Sequence, residues 1–414
     1  MTFLKRQPKV LTAAFTLAII LSSPNAAWAG PREEAKRMYD RLTGTLPDNA
    51  TLNCMEAMIA GSNNPVNADC DSSKLNYDGN TADSAAKYAM ENKNFYNVTL
   101  KNFITPWTNE EQDKYAPLND YTATVIGMIR DDKPFNTLLS ANILYTANGT
   151  VSPIAAVNSN QHYINLEDGG YDLADKNILK ETTQTAAYGL VDSATAGIVT
   201  TRAAARAYFI DGTNRAMFRF TMINHLCNDL EQLKDITRVA DRIRQDVSRS
   251  PGGDSRIFLN NCIGCHAGMD GLTGAYANYQ WAYPDGGDPD TGSLSYTPGT
   301  VQAKYLINSN NFKAGHITTD DSWVNYWRAG PNYLLGWGTG AGKGNGAKSM
   351  GEELENSEAF AQCQVKKVFK AVCLRPPVDL ADRNQVSAMV NTFKSDGYKM
   401  KQVFADAAVY CKGI

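Results

Sequence analysis

Five residues, Cys262-Ile263-Gly264-Cys265-His266, restrict what this chain can become more than any other stretch. Two thiols about one helical turn apart, with an imidazole directly after the second, are what covalent attachment of a porphyrin needs. Each thiol adds to one vinyl group, and the ring nitrogen reaches the iron. A zinc site would need a second ligand pair at similar spacing, and no other two cysteines stand that close. A thioredoxin-like C-x-x-C has no need of the histidine. The spacing therefore predicts one covalent haem c on Cys262 and Cys265, with His266 as an axial ligand of its iron.

Haem attachment happens outside the cytoplasm, and the first residues agree with export. Lys5, Arg6 and Lys9 form a positive start, Leu11 to Leu21 an apolar run, and Ala27-Trp28-Ala29 a small-x-small cleavage site. Residues 1–29 are expected to be a signal peptide, with the mature chain beginning at Gly30. The apolar run is too short to span a bilayer, and no later stretch is long and apolar enough either. A periplasmic or secreted protein without a transmembrane segment is the expectation. Losing three cations and no carboxylates moves the formal charge from -3 to -6. That balance argues against nucleic acid as a partner.

Six cysteines remain: Cys54, Cys70, Cys227, Cys363, Cys373 and Cys411. An even number in an oxidising compartment predicts up to three disulfide bonds, with fifteen connectivities open. Cys54 and Cys70 flank a polar, Asn-rich stretch with no cysteine between them, so these two are expected to pair.

Length and periodicity predict a mainly α fold in two parts. A mostly helical domain of unassigned role covers 30–250, and a cytochrome-c-like haem domain with a C-terminal helical bundle covers 251–414. Glu33 to Leu42 reads as a helix stopped by Gly44, residues 61 to 82 as a loop, and Tyr88 to Phe103 as helical again. Tyr121 to Ile129 reads as a short element, and Tyr163-Ile164-Asn165-Leu166 as β-like. Met217, Phe220 and Ile223 lead toward Cys227. Ile236, Val239, Ala240, Ile243 and Val247 recur at helical spacing. Ser250-Pro251-Gly252-Gly253 breaks the chain, and Asp254 or Ser255 caps a short helix running into the motif. The glycine-rich stretch 336–344 lacks phosphate-loop spacing and is expected to be a flexible loop over the haem. Ser349 and Glu352 are spaced as a capping box. Helices then carry Ala361 to Val372, Val386 to Phe393, and Met400 to Ala407.

Two features of the haem region point to known proteins. Phe258 lies four residues before Cys262, as an aromatic does in class I cytochromes c, although Asp254 stands where those have glycine. The run Cys262 to Asp270, followed by Ala275-Tyr276-Ala277-Asn278-Tyr279, resembles the haem segment of the planctomycete-type cytochrome c family. Ser357 to Cys363 and Phe393 to Phe404 are similar to the helical module that follows haem in those secreted proteins. The resemblance covers about 255–285 and 355–410, and is suggestive over 31–60. Gly271 replaces the proline of the family's Met-Asp-Pro run. The resemblance implies the fold and the haem, but no substrate.

Electron transfer, with a redox protein as partner, is the first functional expectation. A single haem moves one electron, and ligand identity and surroundings set its potential. The alternatives are a peroxidase- or oxygenase-like haem enzyme with an open distal site, or a binding or assembly protein with structural haem. The chain is large for a shuttle, but no catalytic pair, H-E-x-x-H or nucleophile elbow stands out. For the sixth ligand of the iron the expectation is Met350, on a loop between the glycine-rich stretch and the C-terminal helices. His316, in the turn after Gly315, is the alternative. His162 and His225 have no partner at metal-ligand spacing, and His225 is expected to be structural.

Overall fold

The computed structural model describes residues 30–61, 70–71, 81–210, 212–284 and 287–413. The expected signal peptide and most of the expected 61–82 loop lie outside them. Helix α1 (Pro31–Thr43) opens on proline, whose fixed φ suits a first turn, and closes on Gly44 in the left-handed region. Asp48 caps α2 (Asn49–Ile59) and Thr81 caps α3 (Ala82–Met90), each side chain accepting from a first-turn amide. A π turn over Phe95–Leu100 leads into the single turn α4 (Lys101–Ile104). Every residue of α5 (Asp120–Arg130) is buried.

Strand β1 (Leu144–Thr146) pairs antiparallel with β2 (Lys180–Thr182), and α6 (Gln161–Asp168) lies between them in the chain. The β-like reading of Tyr163–Leu166 is corrected here. Those residues are helical because His162, Tyr163 and Leu166 bury one face, with Tyr163 donating to the Tyr145 carbonyl. α7 (Gln184–Tyr188), α8 (Arg202–Tyr208) and α9 (Arg215–Thr221) follow, and a π turn carries α9 on to Leu226. α10 (Ser255–Ile257), capped by Asp254, continues through a π turn over Phe258–Cys262 into α11 (Ile263–Thr273). β3 (Tyr279–Ala282) pairs with β4 (Ser293–Tyr296), and β5 (Ser322–Val324) with β6 (Lys343–Asn345), both antiparallel. α12 (Gly346–Glu355), α13 (Glu358–Cys373), α14 (Leu380–Ser395) and α15 (Met400–Cys411) end the described chain.

The mainly helical fold is thus as expected, and α13, α14 and α15 pack on one another as the C-terminal bundle. The expected boundary at 250 falls within one continuous apolar cluster. That cluster runs from Ala35 to Cys411, and α15 packs against α1 and α3 as well as α13. Gly252 and Gly253 do turn the chain, both at positive φ, but they do not separate two cores. The disulfide Cys227–Cys363 crosses that point in sequence, while Cys54–Cys70, as expected, and Cys373–Cys411 close shorter loops. No helix of the described residues is long and apolar enough to cross a membrane.

Candidate functional site

The motif sits on a helix that must bend to carry it. Between α10 and α11 the backbone widens into a π turn ending on Cys262, a form concentrated at functional positions. Small residues then let α11 approach its neighbours. A side chain at Gly268 would strike the indole of the fully buried Trp327, and one at Gly271 would press on the Val324 carbonyl. Gly264 abuts residues 234–236, and its carbonyl accepts from Asp235 N at 3.0 Å.

Cys262 and Cys265 are partly exposed free thiols, in contrast to the other six cysteines, all of which are bridged. Burial pushes the Cys265 thiol up, and Glu231 adds to the shift, the opposite of an activated redox thiolate. His266 keeps a side-chain exposure of 20%, with Nδ1 3.2 Å from Asp270 Oδ2. Asp270 lies one turn further along α11 with no exposed side-chain surface. Burial alone would raise its pKa, but Arg215 and Arg244 outweigh that and hold it well below the usual carboxylate range. Arg215 grips Asp270 with two hydrogen bonds, 2.8 and 3.0 Å, and Asp246 with two more, 2.7 and 3.0 Å. Because Nδ1 is engaged, Nε2 is the ring nitrogen left to face a ligand. Among the described residues no three His, Cys, Asp or Glu side chains gather as a metal cage.

Ile236, against which Gly264 lies, and residues adjacent in sequence to the motif and to its candidate ligand His316 expose apolar side chains. Ile236 and Val239, 69% and 59% exposed, follow Asp235 beside Gly264; Ile257 and Leu259 precede the motif; Ile317 follows His316. The helix expected over Ile236–Val247 does not form. Of its apolar residues only Ile243 and Val247 are buried, in a small cluster with Phe258 and Ala267 against which Cys262 and Ile263 pack.

The two candidate sixth ligands stand in different places. The placement of Met350 on a loop is corrected: it lies inside α12, 0% exposed, in the main core with Met269 and Leu272. The helix begins earlier than the expected capping box at Ser349 and Glu352. Asn345 is its N-cap, and Ser349 Oγ donates back to the Asn345 carbonyl at 2.6 Å. His316 is half-buried and strapped by its backbone to 243–245. Its N–H donates to Ile243 O at 2.9 Å, and its carbonyl accepts from Gln245 N at 3.3 Å. The neighbouring Arg244 amide lies 3.4 Å from Asp270 Oδ2, directly behind His266. Burial, with Arg242 and Arg244, lowers the His316 pKa and favours the neutral imidazole.

His225 is structural as expected, buried with Nε2 2.9 Å from the Tyr121 hydroxyl, and His162 Nε2 accepts from Ala147 N. The glycine-rich stretch is fastened down rather than free. Gly336 lies against Glu358, Gly338 against Asn356, and Gly342 against Arg328, itself paired with Glu353. What the sequence reading missed was Asp270's backing. Its i, i+4 spacing from His266 was visible, but Arg215 and Arg244 are brought in by distant segments. No protein-family model, curated protein or solved structure matches this chain.

Proposed function

We propose that this protein is an exported c-type cytochrome that carries one haem on Cys262, Cys265 and His266 and transfers electrons to or from a redox protein. The carrying observation is the contrast among the cysteines: six are bridged, and the two of the C-x-x-C-H motif are free and accessible beside a histidine whose Nε2 is unclaimed. The residues present fit the group. A porphyrin edge needs two thiols at this spacing, and its faces need apolar cover, to which the exposed Ile236 beside Gly264 and Ile257 and Leu259 just ahead of the motif would contribute. When bound, haem supplies one-electron oxidation and reduction. The chain's part is to hold it, to orient His266 through Asp270, and to limit water around it.

For the second axial position Met350 and His316 stay the two candidates: Met350 would have to leave a fully buried helix position, and His316 is half-buried beside 243–245. The resemblance to planctomycete-type cytochromes c belongs to the same reading and rests on the short segments quoted above. The haem-enzyme alternative draws on one observation, the charged carboxylate behind His266, and separates from electron transfer by its iron. An iron with both axial positions filled binds cyanide or carbon monoxide slowly or not at all.

The test is haem staining of the purified protein on a denaturing gel. Wild type should stain, and Cys262→Ala combined with Cys265→Ala should not; equal staining would end the reading. On the same preparations a long-wavelength methionine-to-iron charge-transfer band that is lost in Met350→Ala would assign the second ligand to Met350; a wild type without that band whose iron opens to cyanide in His316→Ala would assign it to His316.

A further inference from the structure

We propose that Asp270 is a positioning residue for His266, a clamped carboxylate that fixes the imidazole's Nδ1 proton and thereby sets the donor strength of Nε2 toward the haem iron. The inference rests on the haem reading above.

Four features carry it. His266 and Asp270 face each other one turn apart on α11, at 3.2 Å, so helix geometry sets their distance. The carboxylate is removed from water, with no exposed side-chain surface, and cannot turn away because Arg215 holds both its oxygens. Arg215 is itself fixed from the far side by Asp246. Arg244 closes the cluster: its guanidinium is 4.0 Å from Asp270, bonds to Thr273 Oγ1 at 3.1 Å and to Thr213, and lies 4.9 Å over the Tyr305 ring.

Geometry decides the tautomer of the histidine. The clamped carboxylate, both of whose oxygens accept from Arg215, can only accept from His266, so the proton between them sits on Nδ1. That tautomer leaves the Nε2 lone pair free. A charged, buried acceptor behind a metal-bound imidazole makes the ring more electron-rich than a neutral carbonyl does, and it holds the ring plane. Greater donation favours the ferric over the ferrous state, so Asp270 sets a lower potential than the same histidine would have alone.

The experiment uses the haem-loaded full chain. Asp270→Asn keeps an acceptor oxygen and removes the charge. Covalent haem staining should persist, the midpoint potential should rise, and the ferrous iron–histidine stretch in resonance Raman, read in the background of the axial variant that opens the iron (His316→Ala or Met350→Ala), should fall. Asp246→Asn touches Arg215 but not His266, and should leave that stretch in place. An unchanged potential and stretch in Asp270→Asn, or an equal change in Asp246→Asn, overturns the proposal. Should Asp270→Asn fail to fold, the axial variant that opens the iron, with Asp270 intact, decides: its iron–histidine stretch should lie above that of histidines bonded to a backbone carbonyl. A value in the carbonyl-bonded range overturns the role of Asp270. Absence of haem stain in wild type would instead strike the reading it rests on.

Discussion

Glu355 shows how one buried side chain can set the pH response of the fold. It ends α12 with 1% exposure, accepting from Leu139 N at 2.6 Å and from the Ser140 hydroxyl. Burial outweighs those two bonds and pushes its pKa up to about 8. An unfolded glutamate titrates at about 4.3, so between these values the native state binds the extra proton. The stabilisation is complete below about pH 4 and is lost as pH rises toward 8. Depressed carboxylates act in the opposite sense but elsewhere: Asp131, where burial is outweighed by Arg130, is held at about 2 and matters only in acid. The buried His225 and His162, lowered by burial, act in the opposite sense in the same window, so the test is the difference: between pH 5 and pH 8.5 the urea midpoint of Glu355→Gln, which keeps a neutral acceptor, should rise relative to wild type. Parallel slopes for the two proteins would remove Glu355 as the cause.

Among the elements, α11 depends on how closely it approaches its neighbours. Gly268→Ala would drive a methyl into the Trp327 indole, a rigid group with no exposed surface. Overpacking of this kind costs about 1–3 kcal/mol. An unfolding free energy lowered by that amount is the expected outcome, and an unchanged value would show that the helix shifts freely. The sequence disclosed elements where local signals and packing agree. α1 has its proline and glycine ends, α5 its apolar run, and α13 to α15 their one-sided apolar spacing. It misled where distant partners decide. Ile236 to Val247 has helical spacing, yet Asp235 N bonds to Gly264 O and 243–245 to His316, so these backbone groups are spent across the fold. The arginines between them have partners too: Arg238 with Asp235, and Arg244 with Thr213 and Thr273. Propensity yields to such contacts. Tyr163–Leu166 misled by its β-favouring residues, since four residues cannot show which face a helix will bury. In the candidate site, the thiols and histidine were plain in the spacing. Asp270's clamp and the strap on His316 depend on contacts tens of residues apart in the chain.

At the scale of the whole molecule, the first and last helices of the described residues are packed together. Arg37 and Arg41 of α1 donate to the carbonyls of Lys412 and Cys411, at 2.9 and 2.7 Å. Phe404 of α15 packs edge-on against Phe95 at 5.2 Å and Phe103 at 5.5 Å. Lys367 of α13 lies 3.2 Å over the Trp107 ring and donates to Asn224 O. Cys227–Cys363 closes a loop of 136 residues, which chain-entropy reasoning values at about 5 kcal/mol, the mechanism being model-dependent. Burying one phenylalanine contributes about 1.5–3 kcal/mol, against a total stability of about 5–15 kcal/mol for a typical domain. A fragment of residues 251–414 would lose the partners of Phe404, Lys367 and Cys363 together, and these losses are comparable with the whole margin. It should therefore fail to unfold cooperatively on heating and should bind a hydrophobic dye, whereas the full chain melts in a cooperative transition. A sharp melt and dispersed amide resonances from the fragment would show instead that the haem region folds alone, and that the shared core is only a contact between two finished domains.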